Sequence, residues 1–423
     1  MVRINNILLQ NVSRLSDRAQ SFDVRIVDGL IKEIGSQLDH GTSTVVPLTG
    51  KLITEGWCEL FTDFSDPGFE YREDLTSGAL AAAAGGFTDV CVLPNTSPVV
   101  DSKADIQYIK SKEAIVPVSL HAVGALSVEA KGERIAELYD MWHAGAVYFS
   151  DGTTPAWNAE LLLKALQYTQ RFDGMVVTRP LDKELSQFGQ MHEGPVSTSL
   201  GLKGIPSVAE TVTLRRDLEL LRYGGGRMHV TGLSTAESVQ LVREAKEEGL
   251  RITCDVPLYN LLFADQDAPP FDTSYKVLPP LRQDRDREAL LGGLKGGVID
   301  AISAHHFPRD VEEKDLEYDL AEFGATALQT VYSALQQLSG VVDLELLMDK
   351  VGNAPRRILG IEPAVIEQGA SAKIAVLDEQ AVWTYDEQTN LSKSRNSPLF
   401  GKELTGRVAG IVNGSNVYLP EYL

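Results

Sequence analysis

Asp63, Asp151 and His305 are the side chains in this sequence best suited to hold a divalent cation, since oxygen and imidazole nitrogen are the usual donors. Each stands where a short apolar run gives way to a polar loop: "FTD" at 61–63, "SDG" at 150–152, "AHHFPR" at 304–309. His305 also offers acid–base chemistry. Its neighbour His306 points to the opposite face if both lie on a strand, so at most one of the two lines a cleft. Arg179 and Arg309 suit a carboxylate or phosphate, which their planar forks match. Asn95, in "LPNTS", lies in the same kind of loop. Phe61, Thr178 and Gly232 end further apolar runs but bring no metal donor to them.

The elements that must position these residues alternate along the middle of the chain. Strand-like runs are "CELFTDF", "FTDVCVLP", "VSLHAVGAL", "AVYFSDG", "GMVVTRP", "RMHVTGL", "RITCDVP" and "DAISAHH". Helix-like segments such as "REDLTSGALAAAAGG" and "TAESVQLVREAKEEG" separate them. Near-continuous apolar strands between amphipathic helices indicate a parallel sheet covered by helices. This pattern over residues 53–361 predicts a (β/α)8 barrel, with function at the C-terminal ends of the strands. A doubly wound open sheet is the alternative, but no Gly-rich dinucleotide fingerprint follows the first strand. Residues 1–52 and 362–423 read instead as short strands and turns. "VNGSNVY" signals a hairpin.

The bulk numbers exclude several classes. The chain has 423 residues, enough for one large unit and a smaller one. A formal net charge of −20 opposes binding to nucleic acid or anionic membranes. No apolar run approaches the ~20 residues that span a bilayer. The opening residues carry scattered charges rather than a signal-peptide pattern, so a cytoplasmic location is expected. Three separated cysteines, Cys58, Cys91 and Cys254, sit in apolar runs and read as buried thiols.

Several segments resemble the dihydroorotases of the metal-dependent amidohydrolase superfamily. They are "DPGFEYRED", "AAAAGGFTDVCVLPNTSPVVD", "MHEGPVSTSLGLKGIPSVAET", "STAESVQLV", "LPPLRQDRDREALL" and "SPLFGKELTGRV", in family order along nearly the whole chain. The resemblance implies an amidohydrolase-type (β/α)8 barrel with a small β-sandwich domain made by both chain ends. It implies zinc-dependent opening and closing of the dihydroorotate ring in pyrimidine biosynthesis. There the metal lowers the pKa of its bound water and polarises the amide carbonyl.

The family's functional positions are the ones this chain changes. Phe61 and Asp63 stand in place of the His-x-His pair, and Ser65 in place of the substrate-binding Arg. Ser150-Asp151 replaces an Asp-Asp pair. Thr178 and Gly232 replace two further metal-binding histidines. His305 replaces the catalytic Asp, Arg309 a substrate-contacting His, and Leu278 an Asn. Asn95 and Asp151 keep the family residue, and His306 keeps its place. His229 survives on a strand and His192 in a loop, both read as structural. Losing one member of a catalytic unit already removes most of its rate.

The sequence therefore leads to a non-catalytic homologue with no cofactor and no catalytic residue. The resemblance implies a structural or regulatory role for such a protein, with aspartate transcarbamoylase as partner and a homodimer as its own state. Asn95 and Arg309 are the candidate substrate-binding residues. A second reading is an active cyclic amidohydrolase, closing N-carbamoyl-aspartate to dihydroorotate, with zinc on rebuilt ligands Asp63, Asp151 and His305. A third is a small-molecule sensor that keeps the pocket at the barrel mouth.

Overall fold

The first barrel strand is Trp57–Thr62, and every residue of it is buried. In the computed structural model, which describes residues 2–422, it pairs in parallel with Phe87–Val92. That strand, also wholly buried, pairs in parallel with Ser119–Ala122. A second parallel run follows the order Val176–Thr178, Met228–Val230, Ile252–Pro257, Ala301–Ser303. Single bridges join the two runs: Phe149 bridges Gly124 and Val176, and Thr62 bridges His306. The ring closes as a (β/α)8 barrel.

One expected strand is less regular than its sequence suggests. Residues 146–152 form no extended ladder, although Val147 and Phe149 donate backbone hydrogen bonds to Ala122 and Met175. The chain then turns sharply: Gly152 has φ +59°, and a side chain there would strike the Asn95 carboxamide. The segment fills its place in the barrel but leaves too early to pair at length.

Helices cover the strands as the apolar spacing requires. The Leu75–Ala84 helix starts at Asp74, whose side chain accepts from the Thr76 and Ser77 amides. Its small residues permit a close approach. A Cβ on Gly78 would overlap the Phe64 ring. All three cysteines are buried and unpaired.

Both chain ends meet in one nine-stranded sheet. Lys373–Thr384 pairs antiparallel with Leu52–Glu55 and with Glu403–Asn413. Val2–Arg3 pairs with Asn416–Tyr418. The expected hairpin is present, with Asn413 opposite Asn416 and Gly414 at φ +60°. Ile7, Leu9, Val24, Ile374 and Val412 pack into a core separate from that of the barrel.

Two of the contacts between this sheet and the barrel bear on the site and its support. The first is a buried charge cluster. Asp89, on the second barrel strand, is reached by Lys373 at 2.6 Å, His121 at 2.9 Å and Arg356 at 2.5 Å. Burial alone would raise the Asp89 carboxyl, but these partners hold it well below the usual carboxylate range. The second is residues 385–402. These belong by sequence to the terminal β unit, yet they cross to the barrel mouth. Asn396 donates to the Phe307 and Gly324 carbonyls at 3.0 and 2.9 Å and accepts from the Arg309 amide at 3.0 Å.

Candidate ligand site at the barrel mouth

The end of the first strand is apolar where a metal site needs donors. The Phe61 ring lies 5.0 Å from that of His305 and 5.9 Å from that of Phe307. With Leu93 these aromatics form a small buried cluster. Asp63 follows, bent inward onto its own loop. Its Oδ1 accepts from the Ser65 amide at 2.7 Å, and its Oδ2 lies 3.5 Å from Arg309 Nη1. Below them, Glu59 accepts from the Phe61 and Ala304 amides at 3.0 and 2.8 Å. Burial lifts its carboxyl to about 7.

Asp151 is engaged with a different loop. It accepts from the Ser127 amide at 2.8 Å and the Ser127 hydroxyl at 2.6 Å, while burial pushes its pKa up. Asn95 is fully used in shaping this loop: Nδ2 donates to the Asp151 carbonyl at 3.0 Å, and Oδ1 accepts from the Thr153 amide at 2.9 Å. Thr178 is buried at its strand end. Gly232 donates its amide to Asp255 at 2.8 Å and adopts φ +77°.

His305 faces the mouth for a reason that strand alternation does not supply. The last strand ends at Ser303, and His305 takes a left-handed φ of +49°. Its Nε2 lies 3.0 Å from the Thr231 hydroxyl and 3.7 Å from Asp255. Its Nδ1 has no partner among the described residues, and burial lowers its pKa. Burial opposes it, but the hydrogen bond from His229 at 3.0 Å and the nearby His305 imidazole hold Asp255 low. His306 turns the other way, accepting from the Ala327 amide at 3.1 Å. His192 packs at 3.1 Å from Arg282, and burial together with that charge lowers it to about 4.

A cavity of about 230 Å³ opens beside these residues. Arg179, His305, Phe307 and Arg309 line it, together with Leu278, Tyr259 and Asn260. Sequence reading missed Tyr259, Asn260 and the bracing residue Asn396. Their loops carry no chemical motif, and only the fold brings them to the mouth.

The donors named from the sequence do not converge. Among the described residues, no three or more His, Cys, Asp or Glu side chains are grouped to hold a metal ion. Asp63 is committed to Ser65 and Arg309, Asp151 to Ser127, and His305 to Thr231. Two guanidinium groups on the cavity wall further oppose a dication. The residues present do not fit the zinc centre that the resemblance implies.

The sequence relatives decide the family. A dihydroorotase of Pelotomaculum thermopropionicum is 40% identical over 414 residues, 97% of this chain and 97% of its own length. This chain belongs to the dihydroorotase family. A dihydroorotase of Caldicellulosiruptor saccharolyticus is 36% identical across 99% of this chain and 98% of its own. The dihydro-orotase-like family model matches residues 50–238. Among solved structures, the L-hydantoinase of Arthrobacter aurescens aligns with a TM-score of 0.84 at 21% identity, over 98% of this chain and 96% of its own. The dihydropyrimidinase of Brevibacillus agri gives 0.79 at 18% identity, over 97% and 94%. Those two structures share the amidohydrolase barrel fold with this family member. No helix among the described residues is long and apolar enough to cross a membrane.

Proposed function

We propose that this dihydroorotase homologue serves pyrimidine biosynthesis without turning over dihydroorotate, as a structural or regulatory partner of another enzyme of that synthesis. Aspartate transcarbamoylase is the partner that the resemblance implies. The observation that carries the reading is the donor set at the barrel mouth. Phe61 and Gly232 bring no ligand, Asp63 and Asp151 are bonded to their own loops, and Arg179 and Arg309 face the cavity. Activating a water at neutral pH requires a metal or an equivalent base in contact with it. His305, in the place of the family's catalytic carboxylate, is engaged with Thr231 through Nε2.

Elemental analysis of the purified protein, beside a dihydroorotate hydrolysis assay with zinc added, tests the first half. The expected result is substoichiometric metal and no turnover. Co-expression with aspartate transcarbamoylase tests the second half, with a stable co-purifying complex expected. Separate migration at micromolar concentrations of both would defeat it. Sedimentation of the protein alone reads the homodimer that the resemblance implies.

The relatives' names favour a second reading, an active cyclic amidohydrolase. Stoichiometric zinc together with turnover would establish it and overturn the first.

A further inference from the structure

Seven of the sixteen residues 309–324, "RDVEEKDLEYDLAEFG", are carboxylates, against 59 of 423 in the whole chain. Among the described residues only Glu313 of these is ion-paired, with Arg72. Glu312, Asp315, Glu317 and Asp319 are exposed. The two cations of the run turn inward: Lys314 is buried, and Arg309 lines the mouth cavity.

Apolar side chains stand between these acids. Val311 is 51% exposed, Leu316 44% and Leu320 63%. Phe271, from another loop, is 52% exposed, and its ring lies 6.4 Å from that of Tyr318. Single exposed apolar residues are ordinary, but a group of them rimmed by charge marks an interaction surface. Phe271 also holds a left-handed φ of +60°, a strained conformation for a bulky residue.

The loop is braced in this form. The Glu322 amide donates to the Glu313 carbonyl at 3.0 Å and closes the segment upon itself. The Leu320 and Ala321 amides turn it on the Glu317 carbonyl at 2.8 and 3.0 Å. Two lysines hold it from behind. Lys314 donates to the Glu322 and Gly324 carbonyls at 2.9 and 3.3 Å, and Lys276 to the Tyr318 carbonyl at 2.6 Å. Side chains ordered before binding lose less entropy when they bind.

Charge selects the occupant. Nucleic acid and anionic lipid are repelled. A second copy would set identical carboxylates against one another, which disfavours self-pairing through this face. A protein surface with lysines and arginines around an apolar groove is complementary to it. We propose that the loop 311–320, together with Phe271, is the docking surface for a protein partner whose matching face is an apolar groove bordered by basic side chains. The proposal rests on the reading of this chain as a structural or regulatory partner, and assigns the surface used.

Binding of the full chain to aspartate transcarbamoylase, measured by sedimentation over a salt series, tests it. The wild-type affinity is expected to fall as salt rises. Leu316→Ser with Leu320→Ser, and separately Glu317→Lys with Asp319→Lys, are each expected to weaken the complex by about tenfold or more. Tm is expected to stay unchanged, because all four side chains are exposed. If the serine pair does not fold, the lysine pair carries the same expectation. Val382→Ser, at an exposed apolar residue of the terminal sheet, is expected to leave binding as it is. A complex that both pairs leave intact would overturn this surface and spare the proposed function. So would a complex tightened by the lysine pair, or self-association abolished by the serine pair, which would give the face to a second copy. Absence of any complex with the wild-type chain defeats the proposed function, and this inference with it.

Discussion

The barrel carries a buried charge cluster toward each end, and the two are built on opposite terms. Around Asp89 one carboxylate meets Lys373, Arg356 and His121 at hydrogen-bonding distance. At the mouth, Arg179 meets one backbone carbonyl and, among the described residues, no carboxylate. Burial together with the charge of Arg309 lowers the Arg179 pKa to about 10, while Asp89 is held below the usual carboxylate range. The first arrangement stabilises a seam between barrel and sheet. The second leaves charge in need of a partner. The fold is closed upon itself at the seam and leaves charge unpaired at the mouth.

The largest effect is expected from removing the satisfied charge. Asp89→Ala leaves Arg356 and Lys373 stranded in the seam and is expected to cost about 3–5 kcal/mol in equilibrium denaturation. A loss no larger than that of a surface pair would mean that the seam is not held by this cluster. Removing the unpaired charge has the opposite sign. Arg179→Met removes an unpaired buried charge and is expected to leave stability unchanged or to raise it by roughly 1 kcal/mol in the same assay.

A pH series probes the cations behind the mouth. Burial, with the charges of Lys276 and Arg309, lowers Lys314 from its ordinary 10.5 to about 7, against weaker attraction from Asp272 and Glu322. Between those values the unfolded chain binds the proton and the folded chain does not, so stability rises with pH across that window. Below about 7 both states are protonated, and this group adds no slope. Tm measured at pH 7 and pH 9 is expected to increase by a few degrees, and Lys314→Met is expected to flatten that rise. The smallest effect belongs to the surface. Lys164→Ala breaks the exposed pair with Glu160 at 2.6 Å and is expected to change stability by less than ~0.5 kcal/mol.

Much of the barrel is legible in the sequence because its strands are short apolar runs that end in polar loops. "CELFTDF" and "FTDVCVLP" announce buried strands by composition alone. "AVYFSDG" announces a strand too, but its pairing is cut short by the turn at Gly152, which the shape of the Asn95 loop enforces. The changes at Phe61, Thr178 and Gly232 are legible because the surrounding family segments fix their positions. Where each side chain ends up is not. The left-handed turn at His305, the capture of Asp151 by Ser127 and the arrival of Asn260 at the cavity arise from contacts between residues distant in sequence. Local pattern carries no record of such contacts.

The bracing of the mouth by Asn396 also sets an order of events during synthesis. The Arg309 amide waits for an acceptor 87 residues further along the chain. At ribosomal rates of about 5–20 residues per second, that delay is roughly 4–17 s. The strand Val2–Arg3 waits longer still, since its partner Asn416–Tyr418 lies at the far end of the described residues. The nascent barrel therefore emerges with its mouth unbraced and one edge of its terminal sheet open. Completion of the mouth awaits residue 396, and a chain that stops before it carries the barrel strands without that brace.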